Sequence, residues 1–411
     1  MRALPFVLVA ALLLPALLPG AVEAKTRRVV SRASDMDIPT LAELAKRGEV
    51  ALIENAPDGS ARQVVVFTRF EVPREKVYDV LTDVESYPKF LRTVVATKIV
   101  KRRGGITTFE WELDVPFFNL EGSRHQRGRR PELIEVRGNT GHMRGSRERW
   151  ELYPIDGGRH TLAAFYRSLD VDTGGILIET MVKLEPSMEQ GANLSTAFVH
   201  IRGLRAHLED QPQQKLIPKT GAVPPFKRLG LGPDGLDLSK LKGLLGHGQL
   251  ALVESYPDGT LMQTAILGVV NAPKAKIAAI VQDPAKYPEF IPNFAEQNVT
   301  PKGDNQLHME WELEVPITNL EGTSLMTIEP DGSVDVVATG GDIKRGRWRW
   351  EFSPFGEGRT IPVHYAYSDV RESSWVTKKL VEKEPLFEHG IVMASGTVAL
   401  AAMKARAEGR R

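Results

Sequence analysis

Two stretches of the chain alternate apolar and acidic residues in the same order. In Phe109–Phe117 every second residue is phenylalanine, tryptophan, leucine or valine, and three of the residues between them are acidic; Met309–Ile317 repeats this pattern. Side chains of a strand point alternately to the two faces of its sheet. Each stretch therefore predicts a strand with one apolar face and one solvated face.

The two stretches belong to a duplicated module. FEWELDVPFFNLEG begins at Phe109 and MEWELEVPITNLEG begins at Met309, and the same offset of 200 relates Trp150 to Trp350. The offset falls to 199 towards the end of each copy, which one deleted loop residue explains. Each copy is roughly 170 residues long, which is enough for a domain with its own core. The period is far too long for a solenoid.

Each copy predicts the same series of elements. A hairpin comes first, followed by a helix with apolar residues at helical spacing, a short second helix, several strands and a long, mostly apolar helix interrupted by a proline. In the first copy these elements fall at 48–71, 75–81, 87–91, 109–117, 133–137, 146–153, 161–171 and 176–208, with Pro186 as the interruption; Pro385 takes that place in the second copy. This order predicts an α+β fold in which a curved antiparallel sheet grips the long C-terminal helix, twice in tandem.

The ends of the chain and its Pro/Gly-rich middle suggest the domain division. Residues 1–24 combine an early arginine with a short apolar run and small residues, as in a cleaved secretory signal. We therefore predict a signal peptide at 1–24, domains at 37–209 and 237–407, and a linker at 210–236.

Composition narrows the functional classes. A formal net charge of +1 indicates neither nucleic acid nor an anionic membrane as a partner. The chain has no cysteine, so disulfides and thiolate sites are excluded. The apolar run at 1–24 predicts an exported protein, periplasmic or secreted. The basic run Arg124–Arg130 has no match in the second copy and is interpreted as a solvated edge strand.

One segment resembles a known family. Val72–Leu91 contains a proline, a helix bearing Asp-Val, and Tyr87-Pro-Lys-Phe, and Ala272–Ile291 keeps part of this pattern. The run resembles the opening of the START-like (SRPBCC) superfamily, in its polyketide cyclase/dehydrase and coenzyme-Q-binding branch. That resemblance implies a hydrophobic cavity between sheet and helix, which would hold a lipid, a quinone or another apolar molecule.

The apolar wall of such a cavity can be assigned to particular residues. Aromatic and leucine side chains on the predicted strands form a candidate ligand-binding set, with plain core packing as the alternative: Trp111, Leu113, Trp150, Tyr166, Trp311, Leu313, Trp350, Tyr365 and Tyr367. The tyrosines and His364 are the polar groups expected to point inward.

No motif for a cofactor, a metal or a hydrolytic nucleophile is recognised in the sequence. We therefore predict a non-catalytic binding protein for an apolar small molecule. A cyclase or dehydratase using Tyr166 and His364, and a partner-binding scaffold with filled interiors, remain alternatives. Trp375 fits packing at a helix start. The other interpretations are that it guards the mouth of the cavity or makes transient contact with a membrane surface.

Overall fold

The computed structural model describes residues 32–410 apart from 56–60, 116–117, 169–186, 213–214, 216, 218, 232–235, 293 and 315–318. The predicted signal peptide lies outside this range. Each half of the chain contributes eight antiparallel strands. The strands are β1 (Glu49–Asn55), β2 (Ala61–Phe70), β3 (Val94–Arg103), β4 (Ile106–Val115), β5 (Phe118–Arg129), β6 (Leu133–Gly141), β7 (Arg147–Ile155), β8 (His160–Ser168), β9 (Gly248–Ser255), β10 (Leu261–Leu267), β11 (Phe294–Pro301), β12 (Gln306–Leu313), β13 (Leu320–Ile328), β14 (Val334–Gly341), β15 (Gly346–Pro354) and β16 (Thr360–Ser368).

Helices cover both faces of these strands. They are α1 (Ile38–Ala45), α2 (Arg74–Thr82), α3 (Ser187–Leu208), α4 (Leu238–His247), α5 (Lys274–Val281), α6 (Trp375–Lys383) and α7 (Phe387–Ala407). The long helices α3 and α7 pack against the sheets of their own halves. The face that they cover is called the inner face, and the opposite one the outer face. The predicted α+β fold, with an antiparallel sheet around a long terminal helix in each half, is confirmed.

Several local predictions hold and one is wrong. The hairpin is β1–β2, and α2 begins directly after Pro73. In the second half the terminal helical stretch is split at Pro385 into α6 and α7. The basic run does not form an edge strand, because β5 pairs with β4 on one side and β6 on the other. Its alternate side chains turn inward, which a count of charges along the run could not show.

The two halves share one continuous sheet. Strand β1 pairs antiparallel with β9, and Ala51 faces Ala251 at the centre of this pairing, so sixteen strands form a single sheet. The two alanines are equivalent positions of the repeat, so a pseudo-twofold axis passes between them. Glycine is required where this pairing ends: a Cβ on Gly48 would lie 2.0 Å from the Val253 carbonyl oxygen, and one on Gly248 would lie 2.0 Å from the Ile53 carbonyl oxygen.

The same axis relates the two long helices. A Cβ on Gly191 would lie 3.2 Å from the Ala394 Cβ, and one on Gly390 would lie 1.9 Å from the Ser195 Oγ. These pairs show that α3 and α7 cross antiparallel through small residues, which permit close backbone approach. The expectation that each copy buries its own core is therefore incomplete, because each long helix is also buried against its counterpart.

A buried ion cluster reinforces this join. The fully buried Glu49 carboxylate accepts hydrogen bonds from Arg202, at 2.6 Å, and from Arg205, both on α3. Burial acts to raise the pKa of Glu49, but the two guanidinium groups outweigh it and lower that pKa to about 2. Arg202 also donates to Ser255 of β9, at 2.8 Å, so the cluster connects helix and sheet across the two halves.

Chain segments preceding each repeat cover the outer face. The Ala33 backbone N–H donates to Glu151 on β7, at 3.0 Å. In the second half the linker takes this position: Phe226 stacks on Tyr365, and the Leu229 N–H donates to the Tyr365 hydroxyl at 2.8 Å. In each half the sheet is therefore the middle layer, between a chain segment on its outer face and a long helix on its inner face.

The helix crossing makes a prediction about stability. Gly390→Ala should destabilise the fold by about 1–3 kcal/mol, because its new methyl group overlaps Ser195 of the other half. Gly243→Ala is the matched control: it lies on α4 with no atom within 4 Å of its added Cβ, and should be neutral or slightly stabilising. Urea unfolding of both variants measures the difference. Equal stabilities would contradict close packing of α3 on α7.

Candidate functional site

The predicted tryptophan wall lies on the inner face in both halves. Trp150 stacks on Phe165, with ring centroids 4.0 Å apart, and Phe165 meets His200 of α3 edge-on. Trp111 is buried on the same side of the sheet, and Leu113 follows it in phase. In the second half Trp350 stacks on His364, which lies against Gly396 of α7. Trp311 is likewise buried, with Leu313 in phase beside it.

The predicted tyrosines lie on the outer face, which corrects the sequence-based assignment. Trp150 pairs with Phe165 in the ladder, so the next residue, Tyr166, pairs with Arg149 and points away from α3. Register places Tyr365 and Tyr367 opposite Arg349 and Arg347 in the same way. The linker residues Phe226 and Lys219 cover these two rings. Only His364, among the polar groups expected to point inward, does so.

The first half carries a charged cluster on its inner face, which we call the inner ion cluster: Arg124 of β5, Glu148 of β7, Arg167 of β8 and His200 of α3. Glu148 Oε1 lies 2.9 Å from Arg124 Nη1 and 2.8 Å from Arg167 Nη1. Arg167 Nη1 in turn lies 3.4 Å from His200 Nδ1. The Arg124 guanidinium is 4.9 Å from the centre of the Trp111 ring. The cluster therefore occupies the space between sheet and helix where an apolar cavity was expected.

Burial and mutual attraction fix the charges of this cluster. Burial acts to raise the pKa of Glu148, but the charges of Arg124 and Arg167 lower it to about 2. Burial lowers the pKa of Arg167 to about 10 and that of His200 to about 4. At neutral pH the Glu148 carboxylate and the Arg167 guanidinium are therefore charged, and the His200 imidazole is neutral.

The second half replaces the whole cluster with small or apolar residues. The strand pairings identify the equivalent positions. Glu148 pairs with Arg167 in the first half, and Trp348 pairs with Ala366 at the same place in the second half. Ser324 takes the place of Arg124 and Ala399 that of His200. The duplicated interiors are therefore chemically different, one containing ions and the other a third tryptophan.

The second interior is mostly apolar, and Ser324 and His364 are among the polar groups on its described wall. Ser324 Oγ accepts a hydrogen bond from Trp311 Nε1, at 3.0 Å. Burial lowers the pKa of His364 to about 3, so this imidazole is neutral. Trp348 is only half-buried, and Met309 and Met326 line the neighbouring strands. Aromatic and thioether side chains of this kind suit a ligand without charge.

Sequence reasoning missed the inner ion cluster. Its members are ordinary charged residues scattered over three strands and a helix, without a motif. The available signal was the mismatch between the copies. The second copy has no charged residue or histidine at the positions equivalent to Arg124, Glu148, Arg167 and His200. Glu148 and Trp150 are two residues apart in β7, so their side chains lie on the same face of the sheet. The alternation of this strand therefore predicts that the Glu148 carboxylate lies on the apolar face.

Two depressions occur on the described surface outside these interiors. One, of about 470 Å³, lies beside α2 and is lined by Lys76, Asp79, Asp83 and His207. The other, of about 360 Å³, lies between the linker and the second half, where Lys219, Arg345 and Tyr367 line it. Neither reaches the tryptophans of the inner face. No group of three histidine or acidic side chains close enough to ligate a metal occurs within the described ranges.

Other described features bear on membrane contact. Of the helices in the described part of the chain, none combines the length and the apolar character needed to cross a bilayer. Trp375 is the first residue of α6 and its side chain is 58% exposed.

The family model for polyketide cyclase / dehydrase and lipid transport matches residues 70–199 and 270–383, more than half of the chain and once in each half. The chain belongs to this family. The resemblance seen in Val72–Leu91 is thereby confirmed, together with the tandem repeat. No curated protein matches the chain.

Solved structures of similar fold have low sequence identity. A protein from Thermus thermophilus is 15% identical, with a TM-score of 0.31 over 36% of this chain and 97% of its own. The di-domain ARO/CYC BexL from the BE-7585A biosynthetic pathway is 11% identical, with a TM-score of 0.29 over 85% of this chain and 99% of its own. A STAR-related lipid transfer protein fragment from Xanthomonas axonopodis is 14% identical, with a TM-score of 0.31 over 39% and 93%.

The inner ion cluster predicts a specific response to mutation. Glu148→Gln should destabilise the protein by about 3–5 kcal/mol at pH 7, because two buried guanidinium groups lose their only described carboxylate partner. Glu135→Gln, at an exposed position on the adjacent strand β6, is the control and should change little. Chemical unfolding followed by circular dichroism measures both.

The pH dependence of the same variant follows from the lowered pKa of Glu148. The folded-state pKa lies below the unfolded one, so the stabilisation is complete above about pH 4.5 and is lost as the pH falls towards about 2. Glu148→Gln should therefore flatten the loss of stability in this acid range relative to the unmodified protein. An identical acid profile in both proteins would count against the ion pairs.

Proposed function

We propose that this protein is an exported, non-catalytic carrier that holds an apolar small molecule, such as a lipid or a quinone, between its sheet and a long terminal helix. The observation that carries the proposal is the matched aromatic wall. Trp111 and Trp311, and Trp150 and Trp350, take equivalent inner positions in the two halves. Membership of a family that includes lipid transport supports binding of a hydrophobic ligand.

The arrangement of polar groups favours binding over catalysis. A cyclase would need titratable groups directed at the ligand. The three predicted tyrosines point to the outer face, and the charged side chains on the inner face are paired with one another. His364 remains the inward-facing candidate, but its imidazole is stacked on Trp350 and its pKa is lowered to about 3 by burial. A cyclase or dehydratase would therefore depend on the inner ion cluster rather than on Tyr166.

A second candidate function is a partner-binding scaffold. The observation that favours it is the position of the two depressions, both away from the tryptophan walls. In that case the inner faces are ordinary packed cores, and an outer surface does the binding. The two functions differ in whether the purified protein takes up an apolar molecule.

Export is proposed from the first residues alone. Residues 1–24 have the pattern of a secretory signal. We place the protein in the periplasm or outside the cell. Transient membrane contact through the exposed Trp375 would fit a carrier that exchanges its ligand with a lipid surface.

The carrier function is tested with the purified protein. Organic extraction followed by mass spectrometry should recover an apolar ligand, and a fluorescent neutral lipid or quinone probe should bind. Trp348→Ala should weaken probe binding by about tenfold or more, because it removes a half-buried aromatic side chain from the inner face of the second half. Trp375→Ala, which removes an exposed tryptophan, is the matched control and should leave binding in solution unchanged. An empty protein that takes up neither probe would contradict the carrier and favour the scaffold.

A further inference from the structure

The inner ion cluster of the first half has one more positive charge than negative. Arg124 and Arg167 both contact Glu148, which is the one carboxylate paired with either of them among the described residues. His200 adds no further positive charge, since burial lowers its pKa to about 4 and its imidazole is neutral at pH 7. Two guanidinium groups and one carboxylate give these described residues a net charge of +1.

Two hydrogen-bond donors in this interior also have no partner among the described residues. Arg167 Nε is unpaired although the side chain is only 1% exposed, and the indole Nε1 of Trp111 is buried and unpaired. In the second half the tryptophan equivalent to Trp111 has its partner, because Trp311 Nε1 donates to Ser324. The unpaired indole therefore accompanies the presence of arginine rather than serine at position 124.

An unbalanced charge and unpaired donors are both costly inside a protein. A buried donor without a partner costs about 1–3 kcal/mol, and an uncompensated buried charge costs more. At the equivalent positions the second half has Ser324, Trp348, Ala366 and Ala399, which carry no charge, and its Trp311 indole is paired. The same scaffold can therefore be built without ions, so packing alone does not require them in the first half.

An anionic oxygen group would balance the charge of the cluster and pair the Trp111 indole. A carboxylate accepts several hydrogen bonds, binds guanidinium groups strongly and carries the single negative charge that the cluster lacks. The surrounding wall of Phe109, Trp111 and Trp150 is apolar and suits the hydrocarbon part of such a molecule. A ligand of this kind has one charged end and an apolar body.

We propose that the interior of the first half binds the carboxylate end of an apolar acid through Arg124 and the Trp111 indole, whereas the second half takes an uncharged apolar ligand. This inference rests on the proposed carrier function and adds a chemical class of ligand for each half. Arg124 is the group reached first, because its side chain keeps 11% of its surface in solvent while that of Arg167 is sealed. Leu113, next in phase after Trp111, is also only half-buried.

The test compares decanoate with 1-decanol, which differ in charge but share the same chain length. Isothermal titration of the unmodified protein should show that decanoate occupies a site that decanol does not. Arg124→Ser, the substitution already present at the equivalent position of the second half, should weaken decanoate binding by about tenfold or more, since one charge-assisted hydrogen bond is lost. Decanol binding should stay within about twofold.

Three comparisons separate the possible results. Arg127→Ser, on the same strand with an exposed side chain, should leave both affinities unchanged. Arg124→Lys should retain part of the decanoate binding, because it keeps the charge but loses the planar fork. The third comparison is a folding control. Arg124→Ser keeps the Glu148–Arg167 pair, and a cooperative thermal unfolding transition like that of the unmodified protein would show that the variant is folded.

If decanol bound, and decanoate bound Arg124→Ser as tightly as it bound the unmodified protein, the charge-selective site would be overturned. The carrier function would still stand. If decanol bound the unmodified protein but decanoate did not, the charge-selective site alone would be rejected. If neither compound bound, both proposals would be rejected together.

Discussion

The architecture depends on the antiparallel pairing of β1 with β9 about a pseudo-twofold axis. Ala51 faces Ala251 in the sheet, and the helices α3 and α7 cross on the inner face through Gly191, Ser195, Gly390 and Ala394. The helix crossing needs the two backbones to approach closely, so small residues stand at equivalent positions of the two copies. The halves therefore form an intramolecular version of a twofold dimer, in which each copy supplies the same surface to the other. Each long helix therefore packs on two sides, against the sheet of its own half and against its counterpart.

That fixed frame explains how two copies with the same fold can hold such different interiors. The first copy contains a carboxylate between two guanidinium groups, and the second contains tryptophan, serine and alanines at the same positions. Buried ion pairs contribute little net stability, since desolvation offsets much of the attraction. Their presence in one copy only is more easily understood as ligand chemistry than as a requirement of folding. The apolar second copy shows what the frame needs, and the charged first copy shows what can be added to it.

Much of the fold could be predicted from alternation and repetition. The β1–β2 hairpin, the helix after Pro73, the strand through Trp111 and the break at Pro385 follow from local rules of period and backbone geometry. The candidate site was predicted only in part. The tryptophans were placed correctly on the inner face, but Tyr166, Tyr365 and Tyr367 were placed on the wrong one. Pairing register decides this, since a shift of one residue turns every side chain of a strand to the opposite face. Strand β5 was misplaced for a related reason, because its charges suggested an edge although both of its sides are paired.

The sequence by itself determined that this protein is a tandem α+β repeat with an apolar wall of tryptophans in each copy, because those features are written in spacing and in the match between copies. It also contained the contrast between the copies at Arg124, Glu148, Arg167 and His200. Only the tertiary structure decided that these four residues meet, that β1 and β9 join two sheets into one, and that the tyrosines face outward. Each of these depends on contacts between residues far apart in the chain. Such contacts are set by register and helix crossing, which local patterns do not specify.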